Sequence, residues 1–192
     1  MIEILEEAGF IPALYGLGLS YGLTSDIPYK DFLLNKPMID KLKSVSYNLY
    51  YKNGGHNKFL EHIEIWMLVD APRFFWSQAD TYRLSTKQSA STMHTLKKHI
   101  LTQDMFYEPI EENYLNFLNL KLKYDTITID ELKSDLPEGF MQKREWKISY
   151  NVLRNIILQR KNHELRCWKI FCREALEKVE WKEYFEDLKI GE

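Results

Sequence analysis

The stretch from Gly55 to His94, GHNKFLEHIEIWMLVDAPRFFWSQADTYRLSTKQSASTMH, constrains this chain more than any other. At its centre Ile63, Ile65, Met67 and Val69 recur with a period of two, the period of a half-buried strand. Before them stands a polar turn with His56, Glu61 and His62. After them, from Pro72 onward, comes a segment dense in groups that bind polar ligands: Gln78, Asp80, Tyr82, Arg83, Lys87, Gln88, Ser89, Ser91 and His94. A strand that sets a polar segment beside a core is a rigid support for a site.

The rest of the composition narrows the class. At 192 residues the chain suits one domain, 1–192, with a sizeable core. A hydrophobic fraction of 45% with 14% aromatic residues belongs to a folded chain, not a disordered one. The net charge of −2 gives no general attraction for a nucleic acid polymer, so any nucleotide contact would be local. Cys167 and Cys172 are the only cysteines and read as buried thiols in a reducing compartment. No H-E-x-x-H and no cysteine cluster is present, so no metal site is expected. The N-terminus carries acids where a signal peptide has a basic region, and no apolar run is long enough to span a bilayer. The expected location is cytoplasmic, without a membrane partner. The content of tyrosine, tryptophan and lysine suits a small phage or low-GC bacterial protein.

Residues 2–5 read as a first strand ended by Gly9. Residues 10–21 read as a short helix or tight coil weakened by Gly16 and Gly18. Ile39, Leu42, Val45 and Leu49 predict a helix over 40–50, stopped at Asn53-Gly54-Gly55. Pro72 suits the first position of a helix running to about Tyr82. Residues 84–95, rich in Ser and Thr, read as an irregular active-site loop. A helix is expected over 108–122, then a β-prone run at 126–129 and a capping Asp130. From Gln142 the chain reads as helical, with Trp146, Tyr150, Leu153, Ile157 and Arg160 on one stripe. A break near Lys161-Asn162 leads to a last helix bearing Leu165, Trp168, Cys172, Ala175 and Val179.

The 55–94 stretch resembles the core of the flavin-dependent thymidylate synthases (thymidylate synthase complementing proteins). Gly55-His56, Glu61-His62, Ala71-Pro72, Gln78, Arg83 and Ser91 fall at the family spacing without a gap. The pattern departs at Thr81 and Tyr82, where the family triplet has arginine and histidine. It departs again at Thr86, at Ser89 in place of an acid, and at Met93 in place of a phosphate-gripping arginine. A second likeness lies in Ile157-Leu158-Gln159-Arg160, followed by His163 and Trp168. The resemblance implies an α+β fold with a small mixed or antiparallel sheet packed by helices, and a homotetramer with shared sites. It implies a divergent enzyme passing a folate-borne one-carbon unit to carbon 5 of deoxyuridylate, with flavin adenine dinucleotide (FAD) as hydride carrier. With no G-x-G-x-x-G and no P-loop, the flavin would be held by side chains at a subunit junction.

On that resemblance Arg160 is the catalytic candidate, polarising a pyrimidine, with His163 beside it. His56, Tyr82 and Arg83 are the flavin candidates, and Gln78, Ser89 and Ser91 the nucleotide candidates. Lys87 lies outside the family motif and could replace charge lost at Thr81 and Met93. That loss matters, because a hydrogen bond to a charged group contributes roughly 1.5–3 kcal/mol. Plainer readings stand beside each: a surface ion pair for Arg83, a turn hydroxyl for Ser91, a solvated Lys87, and helix-end cations for Arg160 and His163. The alternative function is a non-catalytic nucleotide- or protein-binding module that keeps the fold, such as a phage accessory factor.

Overall fold

The computed structural model describes residues 1–52, 54–124 and 127–188. Among these, strands β1 (Ile2–Ala8), β2 (Glu64–Pro72), β3 (Ser85–Ser89) and β4 (Met141–Ser149) form one sheet in the order β1-β2-β4-β3. Every neighbouring pair is antiparallel. The helices are α1 (Phe10–Ser20), α2 (Tyr29–Phe32), α3 (Lys36–Tyr47), α4 (Arg73–Ala79), α5 (Thr92–Thr95), α6 (Glu112–Lys123), α7 (Ile129–Asp135), α8 (Tyr150–Arg160) and α9 (Arg166–Lys178). The fold is α+β, a small antiparallel sheet packed by helices, as the sequence implies.

The alternation read at 63–69 is the core of β2. Ile65, Met67, Val69 and Ala71 are fully buried. Residues directly opposite in an antiparallel pair share a face. Met67 faces Trp146, Val69 faces Arg144 and Ala71 faces Gln142, so these β4 side chains lie on the helix-covered side. Lys147, opposite Trp66, lies on the other side; its ammonium sits 5.8 Å from the Trp66 ring and pairs with Glu64 at 2.8 Å.

Several expectations are corrected. The stretch from Gln142 is strand before it is helix: Arg144, Trp146 and Ile148 alternate with Lys143, Glu145 and Lys147, a period of two. The switch comes at Ser149, whose hydroxyl accepts from the Val152 N–H at 3.3 Å and caps α8. Trp146 therefore belongs to the sheet, while Tyr150, Leu153 and Ile157 are buried on α8 as read. Residues 84–95 are not an irregular loop; 85–89 form edge strand β3 on β4, whose backbone groups need partners on that side. Pro72 closes β2 instead of opening the helix, and α4 stops at Ala79. Residues 127–129 hold no strand. Thr128, not Asp130, caps α7, its hydroxyl accepting from Glu131 N–H while Glu131 reaches back to Thr128 N–H. Thr126 and Asn53 fall outside the described residues.

Residues 96–140, where the expected helix appears as α6, build a second small core of Leu96, Leu101, Phe106, Leu115, Leu118, Leu132, Leu136 and Phe140. It is tied to the start of α4 through Arg73 N–H to Phe140 C=O and Phe74 N–H to Glu138 C=O, both at 3.1 Å. Within the main core Arg154 is buried and forms a bidentate pair with Asp187 at 2.8 Å for each nitrogen. Cys167 and Cys172 are both buried and unlinked. Burial pushes their thiols up to about 11 and about 12, which keeps them protonated and inert.

Two glycines separate necessity from tolerance. Gly9 joins β1 to α1 at φ +91°, and a Cβ there would stand 2.1 Å from the His62 carbonyl oxygen. Gly16 lies inside α1 with open space about it. Gly9→Ala should lower the unfolding free energy by about 2–4 kcal/mol, the sum of backbone strain and overlap. Gly16→Ala should raise it by about 0.5–1 kcal/mol. Urea denaturation of both variants checks the pair, and equal effects would contradict this packing.

Candidate functional site

The site arises where two helices meet. α4 follows β2 at Pro72 and α8 follows β4 at Ser149, and these exits lie at opposite ends of the β2–β4 ladder. A nine-residue strand spans about 30 Å. Helices of seven and eleven residues span about 10 and 16 Å. The two therefore run back over the sheet towards one another, and their C-terminal ends meet. Two helix C-termini bring partial negative charge together, which favours a cation between them. Arg160, the last residue of α8, supplies it.

Gln78 sits in the last turn of α4. Its side-chain oxygen accepts from Trp168 Nε1–H at 2.8 Å and from Arg160 Nη1–H at 3.1 Å. Indole and guanidinium nitrogens only donate, so the atom between them must be the oxygen. The Gln78 NH2 is thereby turned away from both. Neither that NH2 nor Arg160 Nη2 has a hydrogen-bond partner among the described residues. Arg160 Nε–H donates to Tyr82 Oη at 2.9 Å, and Tyr82 donates in turn to Gln159 Oε1 at 3.0 Å. The guanidinium carbon lies 4.9 Å from the Trp168 ring and 5.8 Å from that of Tyr82, within cation–π range. The result is a held cation with two donor groups, on neighbouring side chains, left for a ligand.

His163 completes this side. Its ring lies 6.5 Å from that of Trp168, and Nδ1 accepts from the Leu165 N–H at 3.1 Å. The proton of the neutral ring is thus on Nε2. Burial, and then the Arg160 charge, push its pKa down from 6.5.

The other candidates are placed elsewhere. Lys87, on β3, holds its Nζ 5.0 Å from the Trp146 ring, whose centroid is 6.5 Å from that of Tyr82. It is not solvated as a plain surface lysine: it donates to Ser85 Oγ at 2.9 Å and pairs with Asp80 at 3.5 Å. Ser89 ends β3 opposite Arg144, exposed. Ser91 opens α5; its carbonyl, not its hydroxyl, accepts from Thr95 N–H and Oγ1–H. Arg83 is exposed and makes no hydrogen bond or ion pair among the described residues. His56 is not brought to the α4–α8 junction; it lines a separate cleft of about 340 Å³ with Gly16, Ser20 and His62. Trp168, Gln159 and Arg144 were not read as site residues, and Asp80 was named only as part of the polar segment. The one readable signal was Trp168, since a buried indole N–H needs an acceptor.

One further cleft, of about 320 Å³, opens beside Leu84, next to Arg83. Thr86, Lys147, Ser149, Asn151 and Asn155 offer it polar groups, and Leu84 and Val152 an apolar flank. Glu64 also lines it, and Glu64 Oε2 is buried without a partner. An orphaned acceptor in a polar cleft fits a ligand rich in donors, such as the amino and hydroxyl groups of an adenine dinucleotide. Among the described residues no group of three or more His, Cys, Asp or Glu could hold a metal, and no helix is long and apolar enough to cross a membrane.

The His163 geometry gives a direct test. Its ring proton shifts, followed by NMR against pH, should titrate below 6.5. In Arg160→Ala the midpoint should move upward, since a nearby positive charge disfavours the imidazolium. A midpoint unmoved by that substitution would separate His163 from the Arg160 cluster.

No family model matches the chain, and no curated protein matches it by sequence. Solved structures do match. The flavin-dependent thymidylate synthase ThyX of Helicobacter pylori, complexed with FAD and dUMP, matches at a TM-score of 0.79 and 14% identity, covering 97% of this chain and 98% of that one. Another structure of thymidylate synthase X from Helicobacter pylori, also with FAD and dUMP, matches at 0.75 and 14%, covering 98% of each. At such identity the likeness is one of architecture, and over nearly its whole length this chain has the fold of the flavin-dependent thymidylate synthases.

Proposed function

We propose that the chain binds a pyrimidine deoxynucleotide at the α4–α8 junction and acts as a divergent flavin-dependent thymidylate synthase-like enzyme. The observation that carries this is the orientation of Gln78. With its oxygen committed to Trp168 and Arg160, its NH2 and Arg160 Nη2 remain as donors for a ring edge. A uracil edge presents two carbonyl acceptors, the complement of such a pair. ThyX of the same fold is a structure with dUMP and FAD bound.

In this reading Arg160 holds positive charge against the base and stabilises an anion developing at N3. Tyr82 and Gln159 lock the guanidinium in place, and Trp168 backs it. His163, neutral with its Nε2–H outward, is placed to donate to the same ligand. Lys87, Ser89 and Ser91 serve the sugar and phosphate. FAD, when bound, would supply the hydride, and a folate the one-carbon unit. The residues that would hold the flavin are Arg83 with Tyr82 and the cleft at Leu84, with His56 contributing from its own cleft. Assembly as a homotetramer with shared sites belongs to the same proposal, because Arg83 is free to reach a neighbouring subunit.

A second reading, a nucleotide- or protein-binding module without catalysis, is favoured by one observation. Met93 is 61% exposed where the resembled motif closes with arginine.

Absorbance spectroscopy with added FAD, and calorimetry with dUMP, test the proposal. A perturbed flavin spectrum is expected. Arg160→Ala should weaken dUMP binding about tenfold or more without unfolding the protein. Unchanged dUMP affinity in that variant would remove the base from this junction. An absent flavin signal at saturation, with dUMP still bound, would favour the non-catalytic module.

A further inference from the structure

Strand register places two cations side by side at the edge of the sheet. Lys87 is opposite Trp146 and Ser89 opposite Arg144, so Lys87, Ser89 and Arg144 point to the helix-covered face. Both cationic side chains are largely enclosed, 11% exposed for Lys87 and 17% for Arg144. Arg144 lies 4.6 Å over the Trp76 ring and is steadied by Gln142 Oε1, which accepts from Nε at 3.1 Å and Nη2 at 2.8 Å. One carboxylate, Asp80, serves both: Arg144 Nη1 is 3.2 and 3.3 Å from its oxygens and Lys87 Nζ is 3.5 Å away.

This is not a well-made ion triad. Tight charged pairs close to about 2.7–2.9 Å, and Asp80 reaches neither cation at that distance. Two positive charges share one negative, and Glu145, next to Arg144 in sequence, faces the other side of the sheet. Burial pushes the Lys87 pKa down, and Asp80 only partly offsets it. Asp80 itself is 51% exposed and stands on the turn just after α4, so it can swing away. A phosphate, with three terminal oxygens and up to two negative charges, would satisfy both cations better than the singly charged carboxylate does.

We propose that Lys87 and Arg144 form a phosphate subsite, clasped in the free protein by Asp80, that takes the phosphate of the nucleotide. The nucleotide part rests on the function proposed above. Position agrees with it: Asp80 follows Gln78 by two residues, and the Trp146 ring touched by Lys87 lies 6.5 Å from that of Tyr82, which holds Arg160. The pair restores positive charge that Thr81 and Met93 do not provide. Arg144 lies outside the motif stretch altogether.

Calorimetry with dUMP, deoxyuridine and inorganic phosphate, on the wild type and on Lys87→Met, Arg144→Gln and Asp80→Asn, tests this. Lys87→Met and Arg144→Gln should each lose about tenfold or more in dUMP affinity and keep deoxyuridine within about threefold. Asp80→Asn should gain dUMP affinity, because a competing anion is gone; a merely structural ion pair would give no gain. Lys87→Arg should retain binding, which guards against loss through misfolding. If dUMP affinity is indifferent to Lys87 and Arg144, the subsite is wrong and the nucleotide reading survives. If no nucleoside or nucleotide binds but inorganic phosphate binds in a Lys87-dependent way, the anion site stands and the nucleotide reading falls. Binding of none of the three overturns both.

Discussion

Everything at the site depends on the unbroken pairing of β2 with β4. Nine consecutive residue pairs, from Glu64–Ser149 to Pro72–Met141, hold the two strands in one register. That register sets where α4 and α8 begin, and so where they end. A slip of one residue would turn every side chain to the opposite face. Trp146 and Arg144 would leave the covered side, and Ile65, Met67 and Val69 would meet water. Because burying those three side chains contributes several kcal/mol, roughly 1.5–3 each, the register is strongly specified.

The junction is rigid for a second reason. The Phe75 and Trp168 ring centroids lie 4.0 Å apart with the planes tilted by 33°, and Trp76 donates its indole N–H to the Gln142 carbonyl at 2.8 Å. α4 is thus pinned both to α9 and to β4 in the turn just before Gln78. Arg160 then needs little reorganisation to meet a ligand, since Tyr82 and Gln78 already fix two of its nitrogens. Preorganised donors in a partly dry site are worth more than the same groups free in water. The periphery is built otherwise. Arg83 and Ser89 are exposed, as befits groups that meet a ligand or a neighbouring chain.

The β2 strand and the helical stripe of α9 were legible because each has a clean period and buried apolar residues. β4 was misread because Trp146 stands four residues before Tyr150, and that spacing continues the stripe of α8 backward. The alternation of Arg144, Trp146 and Ile148 with Lys143, Glu145 and Lys147 was present but shorter. β3 has no apolar residue at all, so it could not be read from hydrophobic pattern; it is a strand because β4 has an edge to fill. The nearness of Gln78, Tyr82, Arg160 and His163 is a tertiary fact, separated by about eighty residues in the chain. Their types were legible through the family likeness, but the direction of the Gln78 amide was not, because Trp168 decides it. Arg144 was invisible for the same cause as β4: on a helix it would have been one more surface cation, and without it Asp80, though named in the polar segment, had no visible partner.

The central claim is that a pyrimidine nucleotide meets the Gln78–Arg160–Trp168 junction. The most direct measurement is the indole N–H region of a nitrogen-15 NMR spectrum during titration with dUMP. The chain has five tryptophans, and only the Trp168 indole is bonded to Gln78. The account predicts a saturable shift of the Trp168 indole resonance, larger than those of the other four. Saturable dUMP binding that leaves Trp168 unmoved would contradict it.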